Sequence, residues 1–211
     1  MITAHGGALG TGRNTRRYFD NIDKYRADAL EIDIWKRNGV LYLSHLPALF
    51  SIKNKITLKE ALEIVKMAGL KVNCDVKKKG ITADVIALAK EVGAQDNIYF
   101  TGAVTLEDSK IVDAGEVWLN TFNFKDIGIT PENAAEIKKI IDATGNPRFR
   151  GINIHKKYAT DEFMKAAKEA GLGLSVYTVD DAAEQARLLA FGPDNITTNE
   201  PVTAREAYEK L

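Results

Sequence analysis

"ALEIDIWKRNGVLYLSH", residues 29–45, is the stretch on which the fold turns. Side chains repeat with period two along an extended backbone, so Leu30, Ile32 and Ile34 share one face of a strand and Glu31 and Asp33 the other. KRNG (36–39) reads as a hairpin turn and GVLYLSH (39–45) as the returning strand, which ends in a histidine. Two acids in mid-strand have two readings. The strand is an exposed edge, or the acids face an interior where they are paired or bind a metal, because a lone buried charge is too costly.

Outward from that stretch, short β-rich runs alternate with helical ones. ITAH (2–5) precedes a helical stretch over 14–24. Thr57 and Glu60 form a capping box that opens the helix LKEALEIVKMAG. Then come LKVNCDV (70–76) and a helix over 82–93, NIYFTG (97–102) and 105–114, and EVWLN (116–120) and 131–144. FRGINIH (149–155) with 160–170, LGLSVYTV (172–179) with 181–191, and NITT (195–198) with 201–210 complete the series. Eight strand-then-helix units and one extra strand imply a parallel α/β sheet. The expected fold is a closed (β/α)8 TIM barrel, one domain over 1–211, with a doubly wound open sheet as the competing arrangement. In a barrel the aliphatic face of 29–35 meets the helices and the acids point inward.

The 211 residues carry 29 Lys+Arg against 29 Asp+Glu. With no net charge there is no global positive field to collect nucleic acid. The single cysteine, Cys74, excludes an internal disulfide. No run approaches the roughly 20 apolar residues of a membrane span. MITAHGG lacks the basic-then-apolar pattern of a secretion signal, so the expectation is a cytoplasmic protein with no stable membrane insertion.

Barrel chemistry gathers at the C-terminal ends of the strands. His5 ends the first strand and opens the glycine-rich loop GGALGTGRNT (6–15). His45 ends the hairpin strand, Asp75 and Lys77 the third barrel strand, and His155 the sixth. Singly, each has an ordinary reading: a histidine as a structural hydrogen-bonder, Asp75 as the ion-pair partner of Lys77 or Lys78. Together, Glu31, Asp33 and Asp75 bring three negative charges to one mouth, and these cannot all stay ionised without a counter-charge. Mg²⁺ or Ca²⁺ suits all-oxygen ligands; zinc is disfavoured because no histidine shares the ligand spacing. A cation plus Lys77 would attract a phosphate, with His5 and His45 as general base and acid. That is a set of groups suited to a small phosphodiester.

These residues resemble the glycerophosphodiester phosphodiesterases, which are (β/α)8 barrels. That family's opening His-Arg-Gly and Glu-Asn-Thr read here as AHGG and RNT, and its Glu-x-Asp strand followed by a turn and a strand ending in His as EIDIWKRNGVLYLSH. Its Glu-x-Lys is DVK, its late Trp-Thr-Val-Asn resembles YTVDD (177–181), and its terminal block resembles GPDNITTNEP (192–201). The resemblance implies a divalent metal on Glu31, Asp33 and Asp75, acid–base catalysis by His5 and His45, Lys77 on the phosphate and Tyr177 in the substrate pocket. Three departures stand out. Gly6 replaces an arginine, Arg13 replaces a glutamate, and residues 46–56 stand where members usually carry a small inserted subdomain. Arg13 either takes over the phosphate neutralisation lost with the arginine, or is a solvated loop residue just before a helix, with Lys77 and the metal sufficing. Sphingomyelinase D-like barrels, which release cyclic phosphates, and a binding-only barrel remain alternatives.

Overall fold

Nine strands make one sheet in the computed structural model, which describes residues 1–211. They are β1 (Ile2–Ala4), β2 (Ala29–Arg37), β3 (Val40–Leu43), β4 (Lys71–Val76), β5 (Ile98–Gly102), β6 (Glu116–Asn120), β7 (Phe149–His155), β8 (Gly173–Tyr177) and β9 (Asn195–Thr198). Neighbours run parallel from β2 through β4 to β9, and β1 pairs with both β9 and β2. The register Thr3↔Ala29 closes the ring, so the sheet is an eight-stranded parallel barrel and not an open one. Only β3 is antiparallel; it folds back on β2 with Ile34 opposite Leu43.

Helices α1 (Arg16–Phe19), α2 (Leu58–Met67), α3 (Thr82–Glu91), α4 (Ala134–Asp142), α5 (Asp161–Glu169) and α6 (Ala182–Phe191) lie in the crossovers, and α7 (Pro201–Tyr208) follows the last strand. The capping box at Thr57 and Glu60 is formed as the sequence predicts. The core is the aliphatic layer between strands and helices, where Leu30, Ile32, Ile34, Val72, Leu62 and Val85 are fully buried.

Two expected helices are corrected. The stretch 14–24 is one α-turn, Arg16–Phe19, followed by a 3-10 turn at Ile22–Lys24. Asp20 and Asn21 interrupt it, since short polar side chains compete with helical backbone bonds. The stretch 105–114 holds only a 3-10 turn, Leu106–Lys110. A 3-10 turn advances about 2.0 Å per residue against about 1.5 Å for an α-helix, so this short connection between neighbouring strands covers more length per residue.

Candidate active site

The barrel's interior holds Glu31, Asp33, Asn73 and Thr101, and these polar groups are paired. Glu31 and Asp33 point inward and are 8% and 4% exposed. Parallel register sets Glu31 beside Asn73 and Asp33 beside Asp75. Asn73 donates to Glu31 Oε2 at 3.0 Å and accepts from the Thr101 hydroxyl at 2.9 Å. Asn14 bridges the first loop to β2: its Nδ2 donates to Asp33 Oδ2 at 2.7 Å and its Oδ1 accepts from the Asp33 N–H at 3.0 Å. Asn14 does this from a left-handed backbone, φ 55°, which asparagine tolerates. Gly102 ends β5 with φ 81°, where a Cβ would overlap Asp75 Oδ1 and the Val76 carbonyl.

Glu31, Asp33 and Asp75 each offer an oxygen, all within 4.8 Å of one another. Burial, and then the charges of Asp75 and Asp33, push the Glu31 carboxyl well above the usual range. Burial also raises Asp75. Lys77 is the one cation among them, 2.8 Å from Asp33 Oδ1 and bonded to Asp75. Burial opposes its charge, yet Asp75 and Asp33 outweigh that and hold its pKa above the usual lysine value. Three carboxylates against one ammonium leave an excess of negative charge on oxygen donors. That arrangement fits a hard divalent cation.

The two histidines flank the acids. His5 Nδ1 lies 2.9 Å from Asn199 Oδ1. Asn199 in turn donates Nδ2 to Asp180 Oδ2 at 2.9 Å and its backbone N–H to Asp180 Oδ1 at 2.7 Å. A carboxylate only accepts, so Asn199 must present Nδ2 to Asp180 and Oδ1 to His5. His5 therefore carries its proton on Nδ1 and a lone pair on Nε2, which lies 3.5 Å from Glu31 Oε1. Burial and the nearby Arg13 charge lower the His5 pKa, despite the bond to Asn199. His45 Nδ1 is 3.4 Å from Asp33 Oδ2, and this ring is about half exposed.

The structure thus brings His5, His45, Glu31, Asp33, Asp75, Lys77 and Tyr177 to one cavity of about 380 Å³ at the C-terminal ends of the strands. Arg13 is exposed and does not line it. His155 does not line it either; its Nδ1 accepts from the Lys157 N–H at 3.2 Å. A larger cavity, about 600 Å³, opens at the opposite end beneath β7 and β8, far from the acids. Asn120, Asn153, Asn14, Asn73 and Asn199 escaped sequence reasoning. Asn14, inside the RNT block, and Asn199, inside GPDNITTNEP, lay in matched blocks, but neither was singled out. Asn153 donates to Asn120 Oδ1 at 3.0 Å, while its own buried Oδ1 has no partner.

The model of the glycerophosphoryl diester phosphodiesterase family matches residues 20–203. No curated protein sequence matches the chain. Among solved structures, one from Agrobacterium tumefaciens, assigned as a glycerophosphoryl diester phosphodiesterase, superposes with a TM-score of 0.81 at 18% identity, covering 99% of this chain and 97% of that one. A second glycerophosphodiester phosphodiesterase from that bacterium gives 0.74 at 20%, covering 99% and 98%. A phosphodiesterase from Oleispira antarctica, in complex with its product sn-glycerol-3-phosphate, gives 0.73 at 17%, covering 99% and 96%.

Proposed function

The chain belongs to the glycerophosphoryl diester phosphodiesterase family of hydrolases, and from that premise we propose that it cleaves a glycerophosphodiester or similar small phosphodiester with His5 as base and His45 as acid. The observation that carries this reading is the opposed pair of histidines around a three-carboxylate cluster. His5 is held neutral, with its lone pair on Nε2, so it takes a proton from the water that attacks phosphorus. His45, beside Asp33, gives its proton to the leaving alcohol oxygen as the P–O bond breaks. Lys77 has three donors and uses two on Asp33 and Asp75, which leaves one for a non-bridging phosphate oxygen. Tyr177 lines the same pocket and would contact the substrate there. The orphaned Asn153 oxygen offers an acceptor at the floor for a hydroxyl, directly or through water.

Glu31, Asp33 and Asp75 would hold Mg²⁺ or Ca²⁺, and the ion would offset the negative charge of the phosphate and of its transition state. Lys77, which lines the cavity as Arg13 does not, is the direct phosphate ligand.

Turnover of an aryl phosphodiester with and without EDTA tests the reading. Activity is expected only without chelator. Phosphorus NMR of the products from a glycerophosphodiester is expected to show a phosphomonoester; a cyclic phosphate product overturns hydrolysis, and turnover that survives exhaustive chelation overturns the metal.

A further inference from the structure

We propose that the loop following His45 docks the barrel, mouth first, onto an anionic lipid surface. Leu46, Leu49 and Phe50 are 69%, 77% and 91% exposed within five consecutive residues. They are displayed by a tethered backbone: the Ala48 N–H donates to the Tyr42 hydroxyl at 3.0 Å, and the Ala48 carbonyl accepts from Arg37 Nη1 at 2.5 Å. Water meets three large apolar tips there, beside the cavity that holds His45. Phe122, which lines that cavity, is also an exposed aromatic on this face.

The charge around the tips selects the occupant. Lys53, Lys55, Lys78 and Lys79 are exposed, and Lys79 Nζ sits 5.4 Å over the Phe122 ring. The segments 46–56 and 76–80 contain no acidic residue. Lysines around protruding apolar side chains match a layer of anionic headgroups above hydrocarbon, with the tips below the headgroups and the ammoniums among them. Each basic residue beside an anionic leaflet strengthens partitioning about fivefold. No helix of the protein is long and apolar enough to cross a membrane, so the contact is peripheral. Resting on the phosphodiesterase reading, the docking names a substrate class: a phosphodiester headgroup on a lipid that still carries an acyl chain and presents that headgroup at the membrane surface.

Sedimentation with phosphatidylcholine vesicles, with and without phosphatidylglycerol, tests the docking without turnover, so its outcome is independent of whether the enzyme reading holds. Binding is expected to the mixed vesicles and not to the neutral ones. The triple substitution Leu46→Ser, Leu49→Ser, Phe50→Ser is expected to weaken that binding about tenfold or more, while its hydrolysis of a soluble aryl phosphodiester stays at the wild-type rate. Fluorescence of Phe50→Trp is expected to move to the blue on adding mixed vesicles. Absence of binding, binding that the triple variant retains, or light scattering showing a wild-type dimer that the triple variant dissolves, overturns the proposal; the last result would assign the loop to a second copy of the chain.

Discussion

Asn199 decides which nitrogen of His5 carries the proton, because Asp180 can only accept and so fixes the amide. In sequence Asn199 lies within GPDNITTNEP, and nothing in that segment names its partners. Its role depends on three segments meeting at the mouth. Asp180→Ala is expected to lower kcat about 10–100-fold with KM little changed, the scale of losing an orienting partner, and nitrogen-15 shifts of His5 should show the Nδ1–H tautomer weakened. An unchanged tautomer would remove Asp180 from this role. His5→Ala and His45→Ala should each cost about 10²–10⁴ in kcat, and His155→Ala much less; an equal loss at His155 would reassign the pair. Arg13 is exposed outside the cavity, so Arg13→Ala is expected to change kcat/KM by less than about 0.5 kcal/mol. A loss near 2–4 kcal/mol would instead make it a phosphate donor.

The strands were legible as elements because period two and aliphatic content mark them; β6, β7 and β9 match their sequence-based limits. The crossovers were less so. Whether 105–114 coils as an α-helix or a 3-10 turn depends on the distance it must bridge, which local propensity does not contain. α2 is the opposite case, since its cap is written in its own residues. Thr57→Ala should lower stability by about 0.5–2 kcal/mol in denaturant melts and leave turnover intact, because the cap lies outside the cavity. Gly102 ends its strand where only a hydrogen fits between the chain and Asp75. Gly102→Ala is therefore expected to destabilise the fold and to reduce activity together; a fully active variant would show that the β5 end yields.

Across the whole molecule, the acid cluster ties stability to pH and to metal. Glu31 has a native pKa raised first by burial and then by Asp75 and Asp33, so the metal-free native state binds more protons than the unfolded chain above the ordinary glutamate value of 4.5. Stability from this group is thus greatest at low pH and is lost as pH rises toward the raised native value. Comparison of wild type with Glu31→Gln in thermal melts checks the sign: the wild type should lose stability relative to the variant as pH rises, and a relative gain would refute it. Saturating Mg²⁺ or Ca²⁺ should raise Tm, with about 2.7 kcal/mol gained at a hundred times Kd, and the gain should vanish in Glu31→Gln.

What the sequence determined by itself was the alternation of strands and helices and the inward face of β2, because both follow from side-chain periodicity along one segment. It also placed Glu31 and Asp33 within their strand and the histidines and Asp75 at or just beyond strand ends, since those lie within or beside the elements that carry them. Only the tertiary structure decided that β1 closes onto β2, that Lys77 sits between Asp33 and Asp75, that Arg13 is exposed outside the cavity, and that Asn14, Asn73 and Asn199 hold Asp33, Glu31 and His5. Each of these depends on contacts between segments distant in the chain, and a hydrogen bond's partner is chosen by that meeting, whereas a face of a strand is chosen by its own residues.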